Sequence, residues 1–289
     1  MRRYADTVAR YRGAFEDASV WPEEPLPETI FKGYPREGAP VCLLFAPHPD
    51  DEALSGAAAL KLRAEGWRVV VVAVTLGSKL ARRAARWREM QASCAYLGFE
   101  LVSASGEAAQ GLERIGPAAR EAEPVHWQAA VLRIRALITL FNPTVILCPH
   151  ADDGHSAHVG THRLVLDALR DWQRATSLHL LLSEYWNTQS QPRLRVALRD
   201  EAVAQLMQAT ALHTGEVARN PYHLSFPAWL MDSARRGVER VGAPGSQADD
   251  TVFAALYGWQ IVQDGQWRTG SATDVPQSSA LSQYFRSLG

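Results

Sequence analysis

Short, unbroken apolar runs alternate along the chain with segments of helical periodicity. The run Val41 to His48 (VCLLFAPH) has the pattern of a strand covered on both faces. It leads into DDEALSGAAALKLRAEG, where Leu54, Ala57, Ala58, Leu60 and Leu62 form a helical face that stops at Gly66. The order then repeats: a strand over WRVVVVAVTLG, a helix over KLARRAARWREMQASCAYLG ending on Gly98, and a strand over FELVSAS. A polar, glycine-containing stretch covers Gly106 to Glu123. Beyond it come a helix over VHWQAAVLRIRALITLF, punctuation at Pro143, a strand over TVILCPH and a helix over HVGTHRLVLDALRDWQRA. Strands alternating with helices at this spacing form right-handed βαβ units. The expected fold is therefore α/β: a Rossmann-like, doubly wound, mostly parallel sheet with helices on both faces.

Beyond Ser177 the pattern is less regular. LHLLLSEYW has strand character, LRDEAVAQLMQATALH and AWLMDSARRGVERVG have helical character, and GAPGSQADD and GSATDVPQSSALSQ have the composition of loops. Prolines between Pro22 and Pro40 mark residues 1–40 as an N-terminal arm wrapping the domain. No repeat or low-complexity tract divides the remainder, so residues 41–289 are expected to form one domain with a C-terminal extension from about residue 190.

Composition narrows the function classes. With 289 residues, 47% of them apolar, the chain can bury a large core, and its formal net charge of −1 offers no electrostatic case for nucleic acid or an anionic membrane. The N-terminus lacks an apolar signal region, and the run Val69 to Leu76 is too short to span a bilayer, so a cytoplasmic protein is expected. Cys42, Cys94 and Cys148 are odd in number and lack C-x-x-C spacing, which fits buried, reduced thiols.

Two polar clusters carry the chemistry. In doubly wound sheets ligands gather beyond the C-terminal ends of strands. His48, Asp50 and Asp51 fall there after the first strand, and His150, His155, His158 and His162, four of the nine histidines, fall there after the fourth. Imidazole and carboxylate both bind zinc. His48, Asp51 and one histidine of the second cluster would make a three-ligand site with room for water, the hydrolytic arrangement. Donor type favours zinc over iron or manganese. Asp50, left off the metal, would serve as general base. The competing assignment is a helix cap at Asp50 or Asp51, which the concentration of histidines opposes. A dinucleotide site is disfavoured, because the first strand-to-helix turn lacks G-x-G-x-x-G and offers carboxylates where phosphates would sit.

PHPDDE after a buried strand is paired with a distal D-x-H-x-x-H (Asp153, His155, His158), with RWRE at Arg86 to Glu89 and with Leu97-Gly98. Together these motifs resemble the PIG-L/LmbE family of zinc-dependent deacetylases, which remove acetyl from N-acetylglucosaminyl groups and related amides. The resemblance runs from Val41 to Trp186 and weakens through EYW and ALHTGEV. It implies that zinc is held by His48, Asp51 and His158. It further implies Asp50 as general base, His155 as the group that polarises the carbonyl or protonates the leaving amine, and Arg86 as a substrate contact. Tyr185, immediately after a strand on the functional edge, and His213, where the family often carries a histidine, are the other expected substrate contacts. Ala157 stands where the family usually has a carboxylate, and Asp152 or Asp153 would supply one from the other side. The rest of RRAAR, Arg82 to Arg86, is expected to be a solvated helix face. The expected activity is hydrolysis of an N-acetyl group on a small sugar or glycoconjugate, with neither nucleic acid nor membrane as partner and a homo-oligomer permitted. The alternative is a metal- or sugar-binding protein of the same fold that has lost catalysis.

Overall fold

The computed structural model describes residues 2–17, 28–31 and 33–286. One nine-stranded sheet holds β1 (Val41–Ala46), β2 (Arg68–Ala73), β3 (Glu100–Ser103), β4 (Val145–Pro149), β5 (Leu178–Ser183), β6 (Leu194–Leu198), β7 (Phe253–Gln263), β8 (Gln266–Thr269) and β9 (Thr273–Val275). The spatial order is β3-β2-β1-β4-β5-β7-β6-β9, with β8 paired to β7. Strands β1 to β5 are parallel, and β7 is antiparallel to both β5 and β6.

All six side chains of β1 are buried. Cys42, Leu44 and Ala46 enter the core on one face; Val41, Leu43 and Phe45 enter the core on the other. The first face is covered by α3 (Ala57–Ala64), α4 (Arg83–Leu97), α8 (Asp200–Ala211) and α10 (Tyr222–Gly237). The second is covered by α6 (Pro124–Phe141) and α7 (Ser156–Leu169). Each Leu, Val or Ile fully removed from water contributes about 1.5–3 kcal/mol, which is why these runs fix the strands so firmly. Short helices α5 (Ala119–Ala122) and α11 (Gln283–Arg286) complete the layers.

The predicted α/β sheet with helices on both faces is the one observed, with three revisions. The helix after β1 is divided into α2 (Asp51–Leu54) and α3 at Ser55–Gly56, where the backbone packs so closely that a side chain on Gly56 would strike the Glu52 carbonyl. Its stop at Gly66 and that of α4 at Gly98 are as expected, with φ of 86° and 64° in the left-handed region. Second, residues from about 190 onward join the main sheet: β6, β7 and β8 arise where no strand was predicted, and β9 lies inside a segment predicted to be loop. Third, the arm divides. Helix α1 (Arg2–Asp17) leaves Tyr4, Val8, Tyr11 and Phe15 exposed, whereas Ile30 and Phe31 pack on the core. Pro22, Pro25 and Pro27 lie outside the described residues. No helix among the described residues is long and apolar enough to cross a membrane.

Strand order reverses between β1 and β4, which are paired at Cys42–Val145, Leu43–Ile146 and Leu44–Leu147. Their C-terminal ends therefore lie side by side at a topological switch point, where such sheets open a crevice. The segments that follow these two ends carry the two polar clusters.

Candidate active site and metal centre

Beyond Ala46 the chain turns sharply through Pro47 to Asp51. Thr75, just past β2, braces the turn: its hydroxyl and its N–H both donate to the Pro47 carbonyl, at 2.7 and 3.1 Å. Asp50 has φ 114° and ψ −28°, a conformation that a non-glycine residue keeps only when its surroundings hold it. Its carbonyl accepts from the Ala53 and Leu54 N–H groups at 3.0 Å, and its own N–H donates to Glu52 Oε2 at 3.0 Å. Glu52 is fully buried, and its Oε1 is 2.6 Å from Nε2 of the equally buried His213. The Asp50 carboxylate makes no capping bond and faces the cleft. The helix-cap role weighed for Asp50 is thus not taken up by its side chain.

Next to it stand three donors. Asp51 Oδ2 accepts from the His48 N–H at 2.9 Å and lies 3.2 Å from His158 Nε2 and 3.5 Å from His48 Nδ1, while the two ring nitrogens are 3.3 Å apart. Donors on a tetrahedral ion with bonds of about 2.0–2.1 Å are separated by about 3.3 Å, so the spacing of His48, Asp51 and His158 fits such an ion. On the far side of the imidazole, His158 Nδ1 is 3.1 Å from Asp153 Oδ1, with both residues buried. A carboxylate in this position orients a ligating histidine. Of Asp152 and Asp153, it is Asp153 that lies against His158. His155 is the N-cap of α7: its Nδ1 accepts from the Ala157 N–H at 3.3 Å, its ring meets His48 edge-on at 4.8 Å and stacks on Trp186 at 5.8 Å. Donor atoms of His48, His155 and His158 also lie within 4.8 Å of one another, but the triangle containing Asp51 is tighter. The other two histidines of the second cluster serve the loop. His150 Nε2 meets the Asn187 carbonyl at 3.0 Å, and His162 Nδ1 meets that of Pro149 at 2.8 Å.

The electrostatics divide the two aspartates. Burial, then the neighbouring charges of Asp51 and Glu52, push Asp50 well above the carboxylate range, against His213 and Arg86. Against its own burial, Asp51 is held far below that range by His158 and His48. Against burial, Asp51 and Asp153 raise His158 to about 10. Burial and the adjacent His48 and His158 lower His155. Neighbouring carboxyls driven in opposite directions are the pattern of a proton-transfer group beside a fixed anion.

These groups open into one cleft of about 1000 Å³, which Arg86 and Tyr185 also line. Arg86 is tied to the Pro49 and Leu76 carbonyls at 3.4 Å. His213 is a correction: expected at the substrate, it is fully buried beneath Glu52 and does not line the cleft. The helix face Arg82 to Arg86 is a second correction. Arg82 and Arg83 are predicted to be solvated but join Arg86 in the cleft wall, opposite Glu216 and Arg219 from the short helix α9 (Thr214–Val217) and the turn after it. Glu52, Glu216 and Arg219 escaped the sequence analysis, since pairing across more than a hundred residues leaves no local periodicity. The one legible sign was Glu52 itself, a third acid in a turn that needed two.

Residues 43–169 match the family model described as GlcNAc-PI de-N-acetylase, PIG-L. No curated protein matches the chain. Among solved structures, the 4-carboxy-2-hydroxymuconate hydratase GalB from Pseudomonas putida KT2440 is 15% identical with a TM-score of 0.56, covering 76% of this chain and 95% of its own. N,N'-diacetylchitobiose deacetylase from Pyrococcus horikoshii is 17% identical with a TM-score of 0.51, covering 80% and 86%. The zinc-inhibited form of the teicoplanin deacetylase Orf2 is 17% identical with a TM-score of 0.52, covering 77% and 98%. At these identities the likeness establishes the fold.

Proposed function

We propose that the chain, whose residues 43–169 match the family model described as GlcNAc-PI de-N-acetylase, is a zinc-dependent hydrolase removing an N-acetyl group from an amino sugar or glycoconjugate. His48, Asp51 and His158 would hold the ion. When bound, zinc supplies Lewis acidity toward the amide oxygen and lowers the pKa of a coordinated water.

The remaining steps fall to the protein's own side chains. Asp50 accepts a proton as water adds to the acetamide carbon, a role suited to a carboxylate with raised proton affinity. His155 donates to the carbonyl oxygen as negative charge gathers there, its ring kept in place by Trp186 and the Ala157 N–H. The C–N bond then breaks, the amine nitrogen takes a proton from Asp50 or His155, and acetate and the free amine leave. Tyr185 and Trp186 give the sugar an apolar wall.

One observation carries this reading: an uncommitted, buried carboxylate is held in a strained backbone beside the donor triangle. A protein that only bound metal or sugar would have no use for it. The hydratase among the structural neighbours makes release of acetate the decisive assay. Purified protein supplied with zinc is expected to liberate acetate from a methyl N-acetylglucosaminide. Asp50→Asn is expected to keep the metal and lose turnover. Metal binding without acetate release from any N-acetylated sugar would favour the binding protein or a hydratase instead.

A further inference from the structure

Two helices carry exposed apolar stripes that the cleft does not use. On α1, Tyr4, Val8, Tyr11 and Phe15 recur at intervals of four, three and four residues, and all are exposed, Tyr4 by 78%. On α6, Val125, Ala129, Leu132 and Ala136 recur at the same intervals on the side turned away from the sheet, with Leu140 one turn further. Val125 is 85% exposed and Leu140 72%, whereas Trp127, Ile134 and Ile138 on the opposite side of the helix are buried in the core. A repeat of this kind sets each stripe in one line along its helix, the arrangement with which helices pack side by side.

The two stripes match in size. Laid antiparallel, Tyr4 faces Ala136, Val8 faces Leu132, Tyr11 faces Ala129 and Phe15 faces Val125. Each alanine thus receives a tyrosine, and the four layers have similar volumes, which is how facing side chains interdigitate. The parallel alignment would set Val8 on Ala129 and Tyr11 on Leu132, one layer thin and the next crowded. The charged residues Asp6, Arg10, Arg12 and Glu16 all fall off the α1 stripe. A lone helix of 16 residues is marginal in water, and the interior Gly13 costs it about 1 kcal/mol relative to alanine, so α1 gains most from a partner.

That partner is a second chain. Within one chain both stripes are exposed. The arm carrying α1 is fastened to the other side of the sheet: Ile30 and Phe31 pack on the core beneath α3 and α4, the Ile30 N–H donates to the Tyr96 carbonyl at 3.0 Å, and the Arg63 guanidinium lies 4.6 Å over the Phe31 ring. We propose that the protein forms a two-fold dimer in which α1 of each copy packs antiparallel on the outer face of α6 of the other. Two-fold symmetry lets each copy give and receive one helix. An aromatic side chain buries roughly 150–250 Å², so one such seam removes about 600–800 Å² from water, and the pair about 1,200–1,600 Å², the size of a stable interface.

The test uses the full chain. Light-scattering mass and sedimentation at micromolar concentration are expected to show a dimer for the wild type and for the control Tyr34→Glu, an exposed aromatic on neither stripe. Tyr11→Glu and Leu132→Glu bring a charge into the seam from opposite helices, and each should weaken dimerisation ~10- to 100-fold. Both positions are exposed in the single chain, so its near-UV circular dichroism should show an intact core. Added cysteines identify which helices meet. Tyr11→Cys mixed with Ala129→Cys should give a disulfide-linked dimer on mild oxidation, while neither variant does so alone; Cys42, Cys94 and Cys148 are buried and take no part. A monomeric wild type, whether or not it then binds phosphatidylglycerol vesicles, or a dimer that survives either glutamate substitution would overturn the proposal. So would Tyr11→Cys linking to itself, which would put two copies of α1 together, or a disulfide closing within one chain that carries both cysteines.

Discussion

Strands β1 to β5 and strands β6 to β9 meet in one sheet but serve the cleft differently. Apart from the edge strand β3, the parallel strands are short, apolar and buried, and the segments that follow β1 and β4 bring His48, Asp50, Asp51 and His155 to the cleft, with His158 buried against them. The C-terminal strands deliver nothing to the cleft themselves. Their neighbours α8 to α10 lie across α4 and send in supports: His213 beneath Glu52, Glu216 and Arg219 opposite Arg82 and Arg86, and Tyr222 against Tyr185. The contrast teaches that the reacting groups and the groups that position or select are held by separate parts of the chain. Damage to one part should therefore look different from damage to the other.

The largest expected effect is in the parallel half. Asp50→Asn removes the proton acceptor without touching the donor triangle, so kcat should fall by ~10²–10⁴-fold with metal retained. Acetate release beside elemental analysis checks it, and equal loss of metal would place Asp50 among the ligands. Next comes the junction between the halves. Glu52→Ala takes away the acceptor that holds Asp50 in its left-handed turn and strands His213 in the core. It should lower kcat by ~10–100-fold with little change in KM, and cost about 3–5 kcal/mol in stability by leaving a buried pair half empty. Glu52→Gln, which keeps an acceptor for the Asp50 N–H, should recover most of kcat; no recovery would reduce Glu52 to a structural role.

The C-terminal half should respond to acid through another group. Arg195, almost fully buried, holds Asp249 at 2.6 and 2.8 Å and Asp274 at 2.9 Å. Bonding to Arg195 lowers the pKa of Asp249 below the usual carboxylate range. A carboxyl depressed on folding adds stability above its unfolded pKa, about 3.9, and this stability is lost as pH falls through the lower folded value. Asp249→Asn should thus cost about 1–2 kcal/mol near neutrality and flatten the acid limb of the stability profile below about pH 4, as read by denaturant melts. A parallel, undiminished acid limb would contradict this. Smallest of all, Trp186→Ala loosens the ring stacked on His155 and should raise KM by ~2- to 10-fold; an unchanged KM would remove Trp186 from the sugar wall.

The same division explains what could be read in advance. VCLLFA and VVVVA declare themselves because a strand buried on both faces needs nothing but apolar residues. Strand β7, FAALYGWQIVQ, mixes polar and apolar positions and is fixed by partners at β5 and β6, distant in sequence. Its one local mark was Asp264-Gly265, both with positive φ, the turn that joins it to β8. Strand β9 is three residues paired to β6 and has no signal of its own. At the site, His48, Asp50, Asp51, His155 and His158 were legible because each follows a strand end or opens a helix. His213 was misplaced and Arg82, Glu216 and Arg219 passed over, because their roles depend on α9 packing over α4.

The claim on which the rest depends is that Asp51 belongs to a metal and Asp50 to the proton. Metal content per chain, measured by elemental mass spectrometry on the wild type, Asp50→Asn and His158→Ala purified side by side with zinc supplied, tests it most directly. The expected result is about one zinc in the first two proteins and none in the third. Zinc absent from the wild type, or lost equally from Asp50→Asn and His158→Ala, would contradict the account.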